Sequence, residues 1–407
     1  MLAHVSQTRR RLASLITATI ISVSLGTTAA VRSAPKTLTP YRDAVTAVVA
    51  ILDSVPLVAI MDEHLLAQEG EFYQRLIRDP RFAQKANDII VEFGNELYQS
   101  VADRYVRGDK VPLDSLRMIW EDNTQGPLLT TSSPMYANIL HAAREVNAKL
   151  PRQRQLRVLL GDPAVEWKTV TREELWEIHK RRGDRMRELA RDSVVAKRRR
   201  GIIIAGGAHL RRGTPDAQGR DPKWGDLSTR VYIITPHEGF GGNAARFEAA
   251  LDSLPLGSLV PVRGTFLENI EIDEAEQEVP AVGMPAPPAP QPPRGMHSKY
   301  RGLTLGAHYD ALLYLGPIRT YAAVFADVER IRREPARLAA LHKRSCMMMG
   351  RGVDTTRLYR TPATAPLYPN GRRESRLDYE ADVDPGPRPF PPLPANLPEP
   401  CATLLRP

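Results

Sequence analysis

The chain has 407 residues, 42% of them hydrophobic, and a formal charge of +9. That length accommodates one or two globular domains with a full-sized core. The charge does not point to nucleic acid: its densest run, Lys197-Arg198-Arg199-Arg200, suits a helix C-terminus, and no basic face interleaved with aromatics accompanies it.

The N-terminus has the order of a secretory signal peptide. Arg9-Arg10-Arg11 precede an apolar stretch from Leu12 to Gly26, and small residues follow at Thr28, Ala29 and Ala30. Residues 1–30 are therefore expected to be removed, taking the charge from +9 to +6 and leaving a periplasmic or secreted protein. The apolar stretch is shorter than the roughly 20 residues a spanning helix needs, so no stable membrane span is expected. Cys346 and Cys401 are the two cysteines. Export permits a disulfide, but two cysteines define no framework, and neither has a metal-site partner close in sequence.

Thr39-Pro40 reads as an N-cap followed by proline at the first helical turn, with Tyr41, Val45, Val48 and Leu52 on one face. From there, short apolar runs alternate with helical periodicity. Leu57-Val58-Ala59-Ile60 leads to Asp62-Glu63-His64, and Asp88-Ile89-Ile90-Val91 to Glu92 and Asn95. Leu156 to Leu160 leads to Asp162, Ile202-Ile203-Ile204-Ala205 to Gly206-Gly207-Ala208-His209, and Val231 to Ile234 to His237-Glu238. Helices are expected between them: one ended by Asp79-Pro80, one closed by Gly108, one capped by Ser133-Pro134, and a long charged one from the capping box Thr171/Glu174 to about Arg200. A further strand is expected at Ala311 to Leu315 and a last helix over Tyr321 to His342, broken or kinked at Pro335.

Buried parallel strands read as β-branched runs, and strand–helix alternation means a mostly parallel sheet covered on both faces. The expected α/β domain, of Rossmann-like type, covers 38–345 and contains a proline-rich surface loop at 279–295. Residues 352–407 read as an extended, low-order proline-rich tail. Ligands of such sheets sit beyond the strand C-termini, and five strands ending in ionisable residues point to one shared site there.

Asp62 and His64 share a side of an extended segment, so the carboxylate can orient the imidazole. If the first two strands are neighbours, about 4.8 Å apart, Glu92 reaches the same ring. His209 follows two glycines, where backbone can approach a ligand closely. A carboxylate-x-His after the first strand, a Glu after the second and Gly-x-x-His after a later one resemble the erythromycin esterase/ChaN-like superfamily, which includes the Tiki/TraB proteins. Val91-Glu92-Phe93-Gly94-Asn95, Leu160-Gly161-Asp162-Pro163 and Tyr314-Leu315-Gly316-Pro317 are similar to an exported bacterial branch of it. The resemblance implies a Rossmann-like domain with a cleft at the strand ends, with His64 as base, Glu92 as the second-strand acid and His209 as the second histidine. It also implies ester hydrolysis, metal-dependent cleavage or haem binding. The usual first motif, Gly-Glu-x-His, is here Met61-Asp62-Glu63-His64, so Asp62 has one methylene less reach.

Other readings stand beside these. Glu92 can equally cap a helix beginning near Asn95, and Asp162 before Pro163 can be a turn former. Asp310 opens a strand and reads as structural, Trp120 and Trp167 as packing, and His237-Glu238 as a loop without chemistry. Asp62, His64, Glu92 and His209 offer a mixed N/O set for a divalent metal, and His64 or His209 could ligate haem. No Gly-x-Ser-x-Gly elbow is present. The expectation is an exported hydrolase in which His64 activates water against an ester-like bond of a small molecule. A non-catalytic haem or metal carrier, or a degenerate member that has lost catalysis through Asp62, are the alternatives.

Overall fold

The computed structural model describes residues 38–125, 133–213, 221, 223–237, 249–270, 304–325, 328–355, 364–366, 390 and 392–405. The signal-peptide stretch 1–30, the proline-rich loop 279–295, Glu238 and most of 352–389 lie outside the described residues.

Seven strands form one sheet: β1 (Leu57–Met61), β2 (Asp88–Asn95), β3 (Arg157–Asp162), β4 (Gly201–Ala205), β5 (Val231–Pro236), β6 (Ser258–Pro261) and β7 (Ala311–Tyr314). Their order is β3-β2-β4-β1-β5-β7-β6, and every pairing is parallel except the edge pair β6–β7. A two-stranded ribbon, β8 (Ala322–Val324) with β9 (Thr364–Pro366), forms a second small sheet, and Ala323 bridges Leu66 beyond the end of β1. The chain is thus an α/β protein with a mostly parallel sheet.

Strand side chains alternate between two separate cores, which is why the β-branched runs are apolar without a break. Val58, Ile60, Ile89, Val91, Ile202 and Ile204 face one core, with α1 (Ala44–Ile51), α2 (Ala67–Arg78), α3 (Phe82–Lys85), α4 (Gln99–Val106), α5 (Leu113–Glu121) and α6 (Pro134–Asn147). Leu57, Ala59, Ile90, Leu159, Ile203 and Ala205 face the other, with Met186, Leu189 and Val194. Those last three belong to the charged helical region that the sequence reads as one long helix. It is divided into α7 (Arg172–Lys180), α8 (Arg182–Glu188) and a π-helical turn, Leu189–Val195. After β4 comes α9 (Gly207–Leu210), and towards the C-terminus α10 (Leu305–His308), α11 (Val328–Arg333), α12 (Pro335–Met349) and α13 (Cys401–Leu404). Among the described residues no helix is long and apolar enough to cross a membrane.

The caps fall largely where the sequence places them. Ser133 Oγ accepts from Met135 N, with Pro134 at the first turn, and Thr171 and Glu174 form a reciprocal capping box. Three expectations need correction. The first helix starts at Ala44 under the Asp43 carboxylate, and Tyr41 is instead drawn into an antiparallel bridge with Leu259 at the sheet edge. The segment after Tyr321 opens as strand β8; helix is described over Val328–Arg333 and, after the expected break before Pro335, over Pro335–Met349, past His342. The end of the proline-rich tail is also not loose: Cys401 is bonded to Cys346 across 55 residues, and both are fully buried.

Candidate active site

Strand β1 ends at Met61, and Asp62 N still donates to Ala205 O of β4 at 2.8 Å. Two residues later the backbone turns into the left-handed region, with φ 48° at His64 and 65° at Leu65. Residues other than glycine rarely adopt this conformation, and where they do the surroundings hold them in it. The turn brings His64 back over Asp62, whose Oδ2 lies 2.7 Å from His64 Nδ1. An ionised carboxylate only accepts, so Nδ1 carries the proton and the neutral ring has its lone pair on Nε2. Tyr136 OH donates to the same Asp62 oxygen at 3.0 Å, and Tyr73 OH lies 3.4 Å from the other. Burial raises the pKa of both phenols well above the usual tyrosine range, and nearby acidic groups add to it, so both remain donors. Glu63 N–H donates to the buried Glu69 at 2.8 Å. Asp62 reaches the imidazole despite its missing methylene.

Glu92 arrives by a route the sequence did not suggest. β1 and β2 are not neighbours, because β4 lies between them. The carboxylate nevertheless reaches the same place because the tip of β4 is Gly206-Gly207, with no side chain in the way. Gly206 N donates to Glu92 Oε2 at 2.5 Å. A Cβ on Gly206 would stand 3.1 Å from His64 Nε2 and 3.3 Å from Glu92 Oε2, so both groups crowd one point above that glycine. The other carboxylate oxygen takes Arg182 Nη2 at 2.5 Å and lies 3.2 Å from His209 Nε2. Burial alone would raise the pKa of Glu92, but His209, Arg182 and His64 together hold it well below the ordinary carboxylate range. It is a site carboxylate and not a helix cap.

His209 sits on α9, and Gly183 makes room for its ring, since a Cβ there would meet Nδ1 at 3.1 Å. Desolvation lowers its pKa, against the pull of Glu92. The structure therefore brings Asp62, His64, Glu92 and His209 to one place, and about a fifth of each imidazole side chain reaches solvent.

Sequence reading missed Arg182. It opens α8, and its guanidinium bridges two strand ends, holding Glu92 with Nη2 and Asp162 with Nε at 3.1 Å. Asp162 is no mere turn former: Thr124 gives it both backbone N–H and hydroxyl at 2.6 Å. Burial raises its pKa to about 6, with Arg182 and Thr124 opposing and Glu92 adding. Nearby His179 is pushed down to about 3 by burial and by Arg182. The signal that could have flagged Arg182 is Gly183, a poor helix former inside a charged helix.

Other candidates are structural. Trp120 and Trp167 are buried, and Trp167 Nε1 donates to Asp122 O. Asp310 accepts from Ile233 N and pairs with Arg212. His237 is fully buried beside Tyr314.

The four sequence candidates do not fit a divalent metal as placed. Among the described residues no group of three His, Cys, Asp or Glu is arranged to hold one. Both Glu92 oxygens are engaged, one by a guanidinium whose charge would repel a second cation, and Asp62 is turned to Nδ1 of His64. For haem, His209 Nε2 is taken by Glu92 and His64 Nδ1 by Asp62.

These features define an α/β protein with an Asp–His pair and a glutamate–arginine pair meeting at the C-terminal ends of parallel strands. No family model and no curated protein matches the chain. Three solved structures show a distant likeness. A protein from Bacillus cereus is 11% identical, with TM-score 0.41 over 69% of this chain and 95% of its own. The type III effector HopBA1 is 12% identical, with TM-score 0.30 over 50% and 88%. A bacterial protein toxin is 16% identical, with TM-score 0.30 over 48% and 37%.

Proposed function

We propose that the chain is an exported hydrolase in which His64 is a general base acting on water against an ester-like bond of a small molecule. One observation carries this reading: Asp62 fixes the Nδ1–H tautomer of a partly exposed histidine on a strained turn at a strand tip. A base of this kind takes a proton on Nε2 from water as the hydroxide oxygen bonds to the carbonyl carbon. Asp62 on one side and Glu92 on the other stabilise the imidazolium so formed. As the carbon–alkoxide bond breaks, the leaving oxygen takes that proton back, and the ring returns to neutral. Arg182, Gly206 N–H and His209 keep Glu92 ionised and aimed at the ring. The resemblance to the erythromycin esterase/ChaN-like superfamily supports the same reading, and the buried Cys346–Cys401 disulfide suits an oxidising compartment.

The test is turnover of p-nitrophenyl esters of graded acyl length by the purified mature chain. Expected is activity that His64→Ala abolishes and a chelator leaves untouched. Equal activity in His64→Ala overturns the reading. A Soret band on haem addition that is lost in His64→Ala would establish a carrier instead.

A further inference from the structure

The descent from β2 to the C-terminal helices is an unbroken series of polar contacts. Arg344, on α12, is buried; its guanidinium holds the Asp122 carboxylate and the Glu121 carbonyl and lies 4.8 Å from the Trp167 ring centre. Arg337 repeats both contacts from two helical turns earlier, at 3.2 and 2.9 Å. Asp122 O accepts from Asn95 Nδ2 at 2.9 Å and from Trp167 Nε1 at 2.7 Å. The next residues, Asn123 and Thr124, are also buried: Asn123 Nδ2 donates to Phe93 O at 2.8 Å, and Thr124 clamps Asp162. Asp162 in turn holds Arg182, which holds Glu92. Two residues beyond Arg344, Cys346 fastens α12 to α13 through the disulfide.

We propose that Arg344 is a positioning residue for the candidate site: by fixing Asp122 it holds the 122–124 segment against Asp162, and so sets Arg182 on Glu92. The C-terminal helices then belong to the site's support, and the disulfide keeps the helix bearing Arg344 seated. The physical reason is cost. Asp122, on the irregular segment, and Asp162, at the end of β3, are both buried carboxylates, and each stays put only while its donors do. A shift of that segment leaves Asp162 under-donated, and Arg182 is the group free to follow it away from Glu92. The inference concerns geometry and stands apart from the ester chemistry.

The experiment is amide hydrogen exchange of the full mature chain, comparing wild type with Arg344→Met, which keeps the length and apolar stem but loses the donors. The reporter is Gly206 N–H, whose acceptor is Glu92, and the control is Val260 N–H in β6. Expected is exchange about tenfold faster at Gly206 and Thr124, with Val260 within twofold, the size of one weakened charge-assisted hydrogen bond. Arg344→Lys, which keeps the charge but not the paired donors, falls between. Thr124→Val, an isosteric loss of one Asp162 donor, speeds Gly206 in the same way, and combined with Arg344→Met adds less than the product of the two. An unchanged Gly206 amide in Arg344→Met overturns the proposal, as does an equal rise at all three amides, which would mean general destabilisation. Should Arg344→Met fail to fold, Arg344→Lys is read by the same two criteria.

Discussion

Glu92 accepts a hydrogen bond from Gly206 N at 2.5 Å across the tip of the strand that separates it from β1. The contact exists because Gly206 has no side chain, while its φ of −58° is one any residue can adopt. Gly206→Ala is therefore a steric probe without backbone penalty. The added methyl meets His64 Nε2 at 3.1 Å and Glu92 Oε2 at 3.3 Å and pushes them apart by a few tenths of an ångström. A misplacement of ~1 Å costs on the order of 100-fold, so turnover should fall roughly tenfold. The thermal midpoint should stay within about 2 °C, the signature of less than about 1 kcal/mol. Unaltered turnover would show that this glycine does not shape the reactive point.

Asp62→Asn tests the tautomer. An amide can turn its NH2 towards Nδ1, which places the ring proton on Nε2 and removes the lone pair that takes a proton from water. In a serine-protease triad the equivalent change lowers kcat about 10⁴-fold. A loss of about 10³-fold or more in kcat, with KM little changed, is expected here. Asp62→Glu, which restores the more usual acid of the resembling superfamily, should also lose activity. Asp62 is buried between Tyr136 and Tyr73, and an extra methylene drives its carboxylate into them. A gain in Asp62→Glu would mean that this site is an impaired one awaiting repair.

Stability should carry opposite pH signatures from the two carboxylates that Arg182 bridges. Asp162 has its pKa raised by burial to about 6 in the folded chain, above the ~3.9 of an unfolded one. Between those values the native state holds the extra proton, so stability falls as pH rises from about 4 to 6 and is level beyond. The wild-type advantage over Asp162→Asn in urea melts should decline across that window. Glu92 is held low, so its contribution is present above the unfolded value of ~4.3 and is lost as pH falls through its folded pKa. The advantage over Glu92→Gln should thus shrink on acidification. Parallel slopes for the two variants would contradict this assignment of charge.

Much of the fold was legible because each strand is a β-branched run that ends in a change of chemistry. Asp62, His64, Glu92 and His209 all follow strand ends, where that rule looks, and the family resemblance singled out the last three. The strand order was not legible: nothing in Leu57 to Ile60 or Ile89 to Val91 records that β4 lies between them. Arg182 was hidden among the arginines of a charged stretch, where a solvated helix face is the ordinary reading. Its partners Glu92 and Asp162 are 90 and 20 residues away. Cys346 and Cys401 were unpaired in the sequence reading for the same reason, because proximity across 55 residues is a property of α12 and α13 docking together.

Asp88 gives the contrast between an ion pair remote from the candidate site and the Glu92–Arg182 pair within it. It opens β2 four residues before Glu92, at the far end from the candidate site, and is fully buried. Arg157 Nε donates to it at 2.6 Å, and Arg199 donates at 2.7 and 3.0 Å. Arg199 belongs to the basic run that sequence alone assigns to solvent, and this pairing is what occupies it. Asp88→Ala strands two guanidinium groups beside an apolar core. Breaking a buried pair from one side costs about 3–5 kcal/mol, and the partial exposure of both arginines places this case near the lower figure. The urea midpoint should drop accordingly, while kcat per folded molecule and Gly206 amide protection relative to Val260 stay at the wild-type level. If kcat falls with stability, the two ends of β2 are coupled and the site extends through the whole strand.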